Sequence, residues 1–230
     1  MLTDNFSRSD QFGEINLTLA GESVVLSAQR YVWWPAARTL FVADCHFGKV
    51  AHFRKSGIGI PQGAGNQTFT DMHDILCRLQ PVQVIFLGDL FHSHYNPDFD
   101  RFAIWRRQFQ HIQFQLVLGN HDVIQQTALE EIGLSVFRSF TTGPFFCTHY
   151  PDFQPEIGFN LSGHLHPGVH ITGLGRQSVR AACFWKTPSA LVLPAFGSFT
   201  GSAIIKPEGD HELYVVAGTR LFYLHGSLVC

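Results

Sequence analysis

Leu116-Val117-Leu118-Gly119-Asn120-His121-Asp122 is the stretch on which the fold turns. Three apolar residues of a buried strand end run straight into Gly-Asn-His-Asp, which sets an amide oxygen, an imidazole and a carboxylate where a strand meets a loop. Open α/β sheets place their chemistry at such points. Asn, Asp and Gly are also ordinary turn residues. The tetrapeptide alone therefore leaves a turn and a ligand site both open, and its neighbours must decide.

Upstream, the same arrangement occurs twice more. Val82 to Leu87 is a continuous apolar strand that ends in Gly88-Asp89, and Thr39 to Ala43 is a strand that empties into Asp44-Cys45-His46-Phe47-Gly48-Lys49. Helices separate these strands. From Thr68 to Leu79 apolar residues recur at helical spacing (Phe69, Met72, Ile75, Leu76, Leu79) until Pro81 closes the run. Asp98 to Gln110 carries Phe102, Trp105 and Phe109 on one face; Arg101, Arg106 and Arg107 elsewhere on it read as a solvated face, with nucleic-acid contact as the alternative. Val123 to Ile132 predicts a further helix. Strands alternating with helices predict a parallel sheet with right-handed crossovers. Before them, Glu14 to Ala20 and Ser23 to Ala28 alternate around Gly21-Glu22 as a hairpin. Val50 to Lys55 is expected to form a short helix, and Gly57, Gly59, Pro61, Gly63 and Gly65 mark a loop that is either a lid or a solvated connection.

After Gly133 the pattern changes to short strands without clear helices: Leu134 to Phe137, Phe145 to Cys147, Phe159 to Leu161, Val169 to Thr172, Ser178 to Phe184, Ala190 to Leu193, Glu212 to Ala217 and Leu221 to Leu224. These predict a second, largely antiparallel sheet packed on the first. Two of its strand ends matter for chemistry, one at Thr148-His149 and one at Gly163-His164-Leu165-His166.

Composition narrows the class. With 230 residues the chain is expected to form a single domain over 1–230, and 45% hydrophobic against 15% charged residues excludes a disordered chain. A formal charge of -2 argues against a broad basic surface, so any nucleic-acid contact would be local. Met1 to Asp10 lacks a leader pattern and no apolar run is long enough to span a bilayer, which leads us to expect a cytoplasmic protein without membrane contact. Five scattered cysteines with no Cys-x-x-Cys read as reduced thiols.

Thirteen histidines raise the question of a metal. Collected together, the strand ends supply Asp44, His46, Asp89, Asn120, His149, His164 and His166. Any one of these alone reads as an ordinary polar residue, but their joint placement on one rim is the chemistry of two divalent cations. A bridging carboxylate such as Asp89 would hold them about 3.5 to 4 Å apart, the spacing that clamps a displacement at phosphorus. Carboxylate, amide and imidazole donors without thiolate suit Mn²⁺, Fe or Zn²⁺, with Mn²⁺ favoured by the oxygen-rich set. His52, His73, His111, His170, His211 and His225 have no such partners, while His92 and His94 follow Asp89 closely and stay undecided.

Asp44-x-His46, Gly88-Asp89, Gly119-Asn120-His121-Asp122, His149 and Gly163-His164-Leu165-His166 resemble, in order and type, the signature blocks of the calcineurin-like metallophosphoesterases. That resemblance implies an α/β fold, a four-layer αββα sandwich of two facing mixed β-sheets flanked by helices. The finer wording of Ala43 to Lys49, Gly88 to Ser93, Gly163 to Pro167 and Pro194 to Gly201 looks like the ligase-associated DNA-damage-response endonuclease branch. Cys45 stands where that branch leads us to expect Leu; it is expected to point away from the metals. By resemblance, Asp44, His46, Asp89 and His166 would hold one cation, and Asp89, Asn120, His149 and His164 the other. Also implied are an attacking water shared by the two cations, His121 as the acid that protonates the leaving alkoxide, and Asp122 as the group that orients its ring. Lys49 and Arg54 are candidates to neutralise substrate phosphate. The substrate implied is DNA, in a repair setting with a DNA ligase and a helicase as functional neighbours. A small-molecule phosphatase or cyclic-nucleotide phosphodiesterase stays open, since fold does not fix substrate. A non-catalytic scaffold is disfavoured by the intact His121 and ligand set.

Overall fold

The computed structural model describes residues 13–50, 64–92, 96–172, 178–197 and 200–225. Glu14–Leu19 (β1) and Glu22–Ser27 (β2) form the expected hairpin; Val32–Trp34 (β3) pairs antiparallel with β2, and Thr39–Val42 (β4) with β3. Ala64–Leu79 (α1) then leads to Gln83–Phe86 (β5), Pro97–Arg106 (α2) to Gln113–Val117 (β6), and Gln126–Glu131 (α3) to Leu134–Phe137 (β7). Strands β4 to β7 are parallel neighbours, and the first sheet runs from β1 to β7 in chain order.

Several boundaries differ from expectation. Leu134–Phe137 does not open the second sheet; it closes the first, parallel to β6, because α3 supplies the crossover that a parallel neighbour requires. Helix α1 begins at Ala64, so Gly65 belongs to it and not to the loop, whereas the expected helix beyond Val50 and the remaining loop residues Gly57, Gly59, Pro61 and Gly63 fall at 51–63, outside the described residues. Helix α2 starts on a cap, with Asn96 accepting from the Asp98 amide at 2.9 Å and Pro97 in the first turn, and gives way to a 3₁₀ turn at Arg107–Phe109. Nor is Arg106 part of a solvated face. Its guanidinium lies 4.4 Å over the Phe114 ring and donates to the Phe109 and Ile112 carbonyls.

Phe140–Thr142 (β8), Phe145–Cys147 (β9), Phe159–Ser162 (β10), Pro167–Thr172 (β11), Ser178–Lys186 (β12), Ala190–Val192 (β13), Ala203–Ile204 (β14), Glu212–Ala217 (β15) and Arg220–His225 (β16) make the second sheet. It is mixed: β10 lies between β9 and β13 and is parallel to both, while β12 pairs antiparallel with β11, β13 and β15.

Alternation along the central strands explains why they read as unbroken apolar runs. Leu40, Val42, Val84, Phe86, Phe114 and Leu116 face α1 to α3, where they meet Phe69, Met72, Ile75, Phe102 and Trp105. Phe41, Ala43, Ile85, Leu87 and Val117 face the other way and meet Phe145, Cys147, Phe159, Leu161 and Leu191 of the second sheet. Both faces are dry, as buried parallel strands require. Phe145 sits at the middle of the inter-sheet layer, edge-on to Trp34 at 5.1 Å and to Phe41 at 5.8 Å. The result is the sandwich of two mixed sheets that the resemblance implies, and the helices α1 to α3 cover its first sheet. No helix of the described residues is long and apolar enough to cross a membrane. Phe145→Ala is expected to lower unfolding free energy by about 3–5 kcal/mol, the usual cost of emptying a buried Phe site. Denaturant titration checks this, and a loss below about 1 kcal/mol would mean that the two sheets do not share this core.

Candidate metal centre

The two sheets place the carboxyl ends of β4, β5, β6, β9 and β10 together, and each strand passes into its polar residue within a few positions. What aims the side chains is the backbone. Asp44, His46, Asp89, His164 and His166 all have positive φ, at 55°, 47°, 50°, 66° and 47°. Asp and His tolerate this left-handed conformation better than most side chains do, yet it still costs energy and has to be held. Here the loops after β4 and β5 hold each other: the Asp44 amide donates to Gly88 O at 3.1 Å, His46 to Asp89 O at 2.9 Å, and Phe47 to Leu90 O at 2.9 Å. A third segment closes over them, with Phe196 donating to Ala43 O and Gly197 to Asp44 O.

Two adjoining donor sets result. In one, Asp44, His46 and His166 bring ligand atoms within 4.8 Å of one another; His166 Nε2 lies 3.2 Å from Asp44 Oδ1 and 3.5 Å from His46 Nε2, and Asp89 Oδ2 is 3.9 Å from His46 Nε2. In the other, His149 Nε2 lies 3.1 Å from His164 Nδ1, 3.2 Å from Asn120 Oδ1 and 3.6 Å from Asp89 Oδ1. His149 keeps Nε2 free for this set because Nδ1 is bound to the Leu87 carbonyl at 3.0 Å, an outer contact that fixes ring and tautomer. Glycines make room. A Cβ on Gly88, whose φ is +88°, would fall 2.0 Å from His149 Nδ1, and one on Gly119 would fall 2.2 Å from Asp89 Oδ1.

Charge decides what these sets can hold. Asp44 and Asp89 are fully buried. Burial, then the charges of Lys49, His166, His121 and His92, push the His46 pKa down to about 2; burial and His149 also lower that of His164. Imidazole nitrogens and an amide oxygen around two interior carboxylates form an N/O donor set that fits divalent cations.

Beyond the geometry, a family model for calcineurin-like phosphoesterases matches residues 37–174. The chain belongs to the calcineurin-like phosphoesterases. Its fold and family make it a metal-dependent phosphoester hydrolase. The crystal structure of Pseudomonas putida nuclease MPE superposes on this phosphoesterase with a TM-score of 0.78 at 27% identity, over 92% of this chain and all of that one. A conserved uncharacterized protein from Streptococcus pneumoniae TIGR4 superposes with a TM-score of only 0.35 at 14% identity, over 81% of this chain and 96% of that one. No curated protein matches the sequence.

Around the donor sets of this phosphoesterase, other residues take positions the sequence did not disclose. His121 is half-buried, its amide donates to Asp89 Oδ1 at 2.8 Å, and its ring stacks on His92 at 5.4 Å and stands edge-on to His46 at 5.3 Å. Asp122 does not turn to that ring as expected. Its oxygens accept the Phe91 amide at 3.1 Å and the Gly119 amide at 3.0 Å, so it ties the loop after β6 to the loop after β5. Burial raises the Asp122 carboxyl to about 7. His92, undecided from sequence, is the third ring of this group, while His94 is outside the described residues. Lys49 is half-buried, and its pKa is lowered by burial against the opposing pull of Asp44 and Asp89. Arg54 is outside the described residues. Cys45 points into the helical core as expected, and burial raises its thiol pKa. One residue was missed entirely: Tyr150 lies against His164 with a ring separation of 4.3 Å, and its position beside His149 was the available signal.

Gly88→Ala should displace His149 and weaken cation binding at that set by about 10- to 100-fold, as losing ligand orientation does. Calorimetric titration of metal-free protein with Mn²⁺ tests this; unchanged affinity with a native circular-dichroism spectrum would count against the close approach of Gly88 and His149.

Proposed function

We propose that this phosphoesterase is a two-cation phosphodiesterase acting as a DNA endonuclease. The observation that carries the reading is the pair of adjoining donor sets around two buried carboxylates, with the His121 ring against one of them. Asp44, His46, Asp89 and His166 would hold one cation, and Asp89, Asn120, His149 and His164 the other. Mn²⁺ suits a mixed N/O set without thiolate, with Fe or Zn²⁺ as alternatives. When bound, such ions acidify a water and draw charge from phosphorus.

His121 carries a proton to the leaving alkoxide oxygen, a role supported by its stacking on His92 and its amide bond to Asp89 beside the first donor set. Asp122 positions rather than reacts, since it fixes the loop from which His121 projects. Lys49, half-buried and within electrostatic reach of Asp44 and Asp89, is the candidate to meet a phosphate oxygen, and Arg54 is assigned the same task by its position in the sequence. Similarity to a nuclease supports a nucleic-acid phosphodiester as substrate. A single domain over 1–230, a cytoplasmic location and a repair role beside a DNA ligase and helicase rest on the sequence alone.

Purified protein with Mn²⁺ is expected to nick circular single-stranded or duplex DNA, and Asn120→Ala to abolish nicking. Hydrolysis of bis-p-nitrophenyl phosphate without nicking would move the substrate to small diesters, and silence on both would favour a scaffold. His121→Ala should lower kcat by about 10²- to 10⁴-fold with metal content unchanged. Loss of metal in that variant would make His121 a ligand and overturn the role.

A further inference from the structure

Tyr150 is 54% exposed, and its ring lies 4.3 Å from that of His164 and 5.0 Å from that of His149. A single exposed aromatic is ordinary on a protein surface. The loop beneath this one is unusual. Asn160, wholly buried on β10, donates from Nδ2 to Phe146 O at 3.1 Å and to Thr148 Oγ1 at 2.8 Å, and accepts the Asp152 amide at 3.0 Å. Thr148 Oγ1 donates in turn to Tyr150 O at 2.6 Å, and Asp152 Oδ1 accepts the Gln154 amide at 3.0 Å. A buried side-chain amide is costly unless its bonds are made. Every bond of this one fixes the chain at β9 or on either side of Tyr150.

The outcome is a backbone fixed on both sides of Tyr150, with its ring against the imidazoles of His149 and His164 and more than half of it open to water. An aromatic face fixed in that place offers contact to a flat π-system attached to the reacting phosphate. We propose that Tyr150 is the stacking platform for the nucleobase adjoining the scissile phosphate, an inference that rests on the phosphodiesterase reading above. Its contribution is to substrate binding and orientation, with no proton transferred. A phenyl or indole ring in its place preserves the function.

Two diesters with one leaving group separate the possibilities: p-nitrophenyl thymidine 5′-phosphate carries a base, and methyl p-nitrophenyl phosphate does not. With Mn²⁺-loaded protein, Tyr150→Ala is expected to raise KM for the thymidine ester by about 5- to 150-fold, the range of base–aromatic stacking. For the methyl ester, kcat/KM should change by less than about twofold. Tyr150→Phe and Tyr150→Trp should restore the thymidine KM. Equal losses on both esters, or an unchanged thymidine KM, would overturn the proposal. If the wild-type protein hydrolyses neither ester, the phosphodiesterase reading itself fails, and the platform falls with it.

Discussion

Two carboxylates that should repel each other, Asp44 and Asp89, share the interior with His149, their ligand atoms within 4.8 Å. Removing ionised groups from water costs on the order of several kcal/mol each unless charge or hydrogen bonds offset it. The protein supplies part of the offset through the backbone, with the His164 amide on Asp44 and the His121 amide on Asp89. Burial lowers the pKa of His46 and His164, so these two rings are poor sources of compensating charge, and divalent cations fit the deficit. The other features of the site serve this arrangement: left-handed residues turn the donors inward, glycines let the loops approach, and Asp122 joins two loops through their amides.

Much of this was legible in the chain. Asp44, His46, Asp89, Asn120, His149, His164 and His166 each follow a strand, and strand ends can be recognised by apolar runs that stop at polar residues. The central strands were legible because both of their faces are dry, so alternation disappears and length alone marks them. Less visible was what depends on partners distant in sequence. Nothing in the identity of Asp122 says that its acceptors will meet the amides of Phe91 and Gly119 rather than the neighbouring imidazole. Leu134–Phe137 reads as part of the second sheet because a short strand carries no mark of its neighbour, and because α3 is short. The five positive φ values were hidden for a similar reason: Asp and His permit that conformation without announcing it, as Gly would.

His92 and Tyr150 teach a related point. Each is a near neighbour of a candidate ligand in sequence, but only packing shows that His92 stacks on His121 and that Tyr150 lies against His164. Arg106 errs in the opposite direction. A charged residue in a charged run was expected to be solvated, yet it stacks on Phe114 and caps carbonyls beneath the helix layer.

The division of the donors between the sheets has a consequence for the order of events in biosynthesis. Asp44, His46, Asp89 and Asn120 come from the first sheet, and His149, His164 and His166 from the second. A nascent chain emerges from its amino-terminal side first. The acidic half of the centre is therefore made before the imidazoles that complete each set, and β10 is needed before either set is whole. Until then the newborn chain carries a carboxylate pair with incomplete coordination and no inter-sheet core. Both donor sets and the packing of Phe159 and Leu161 against the first sheet thus depend on the same late segment of the chain.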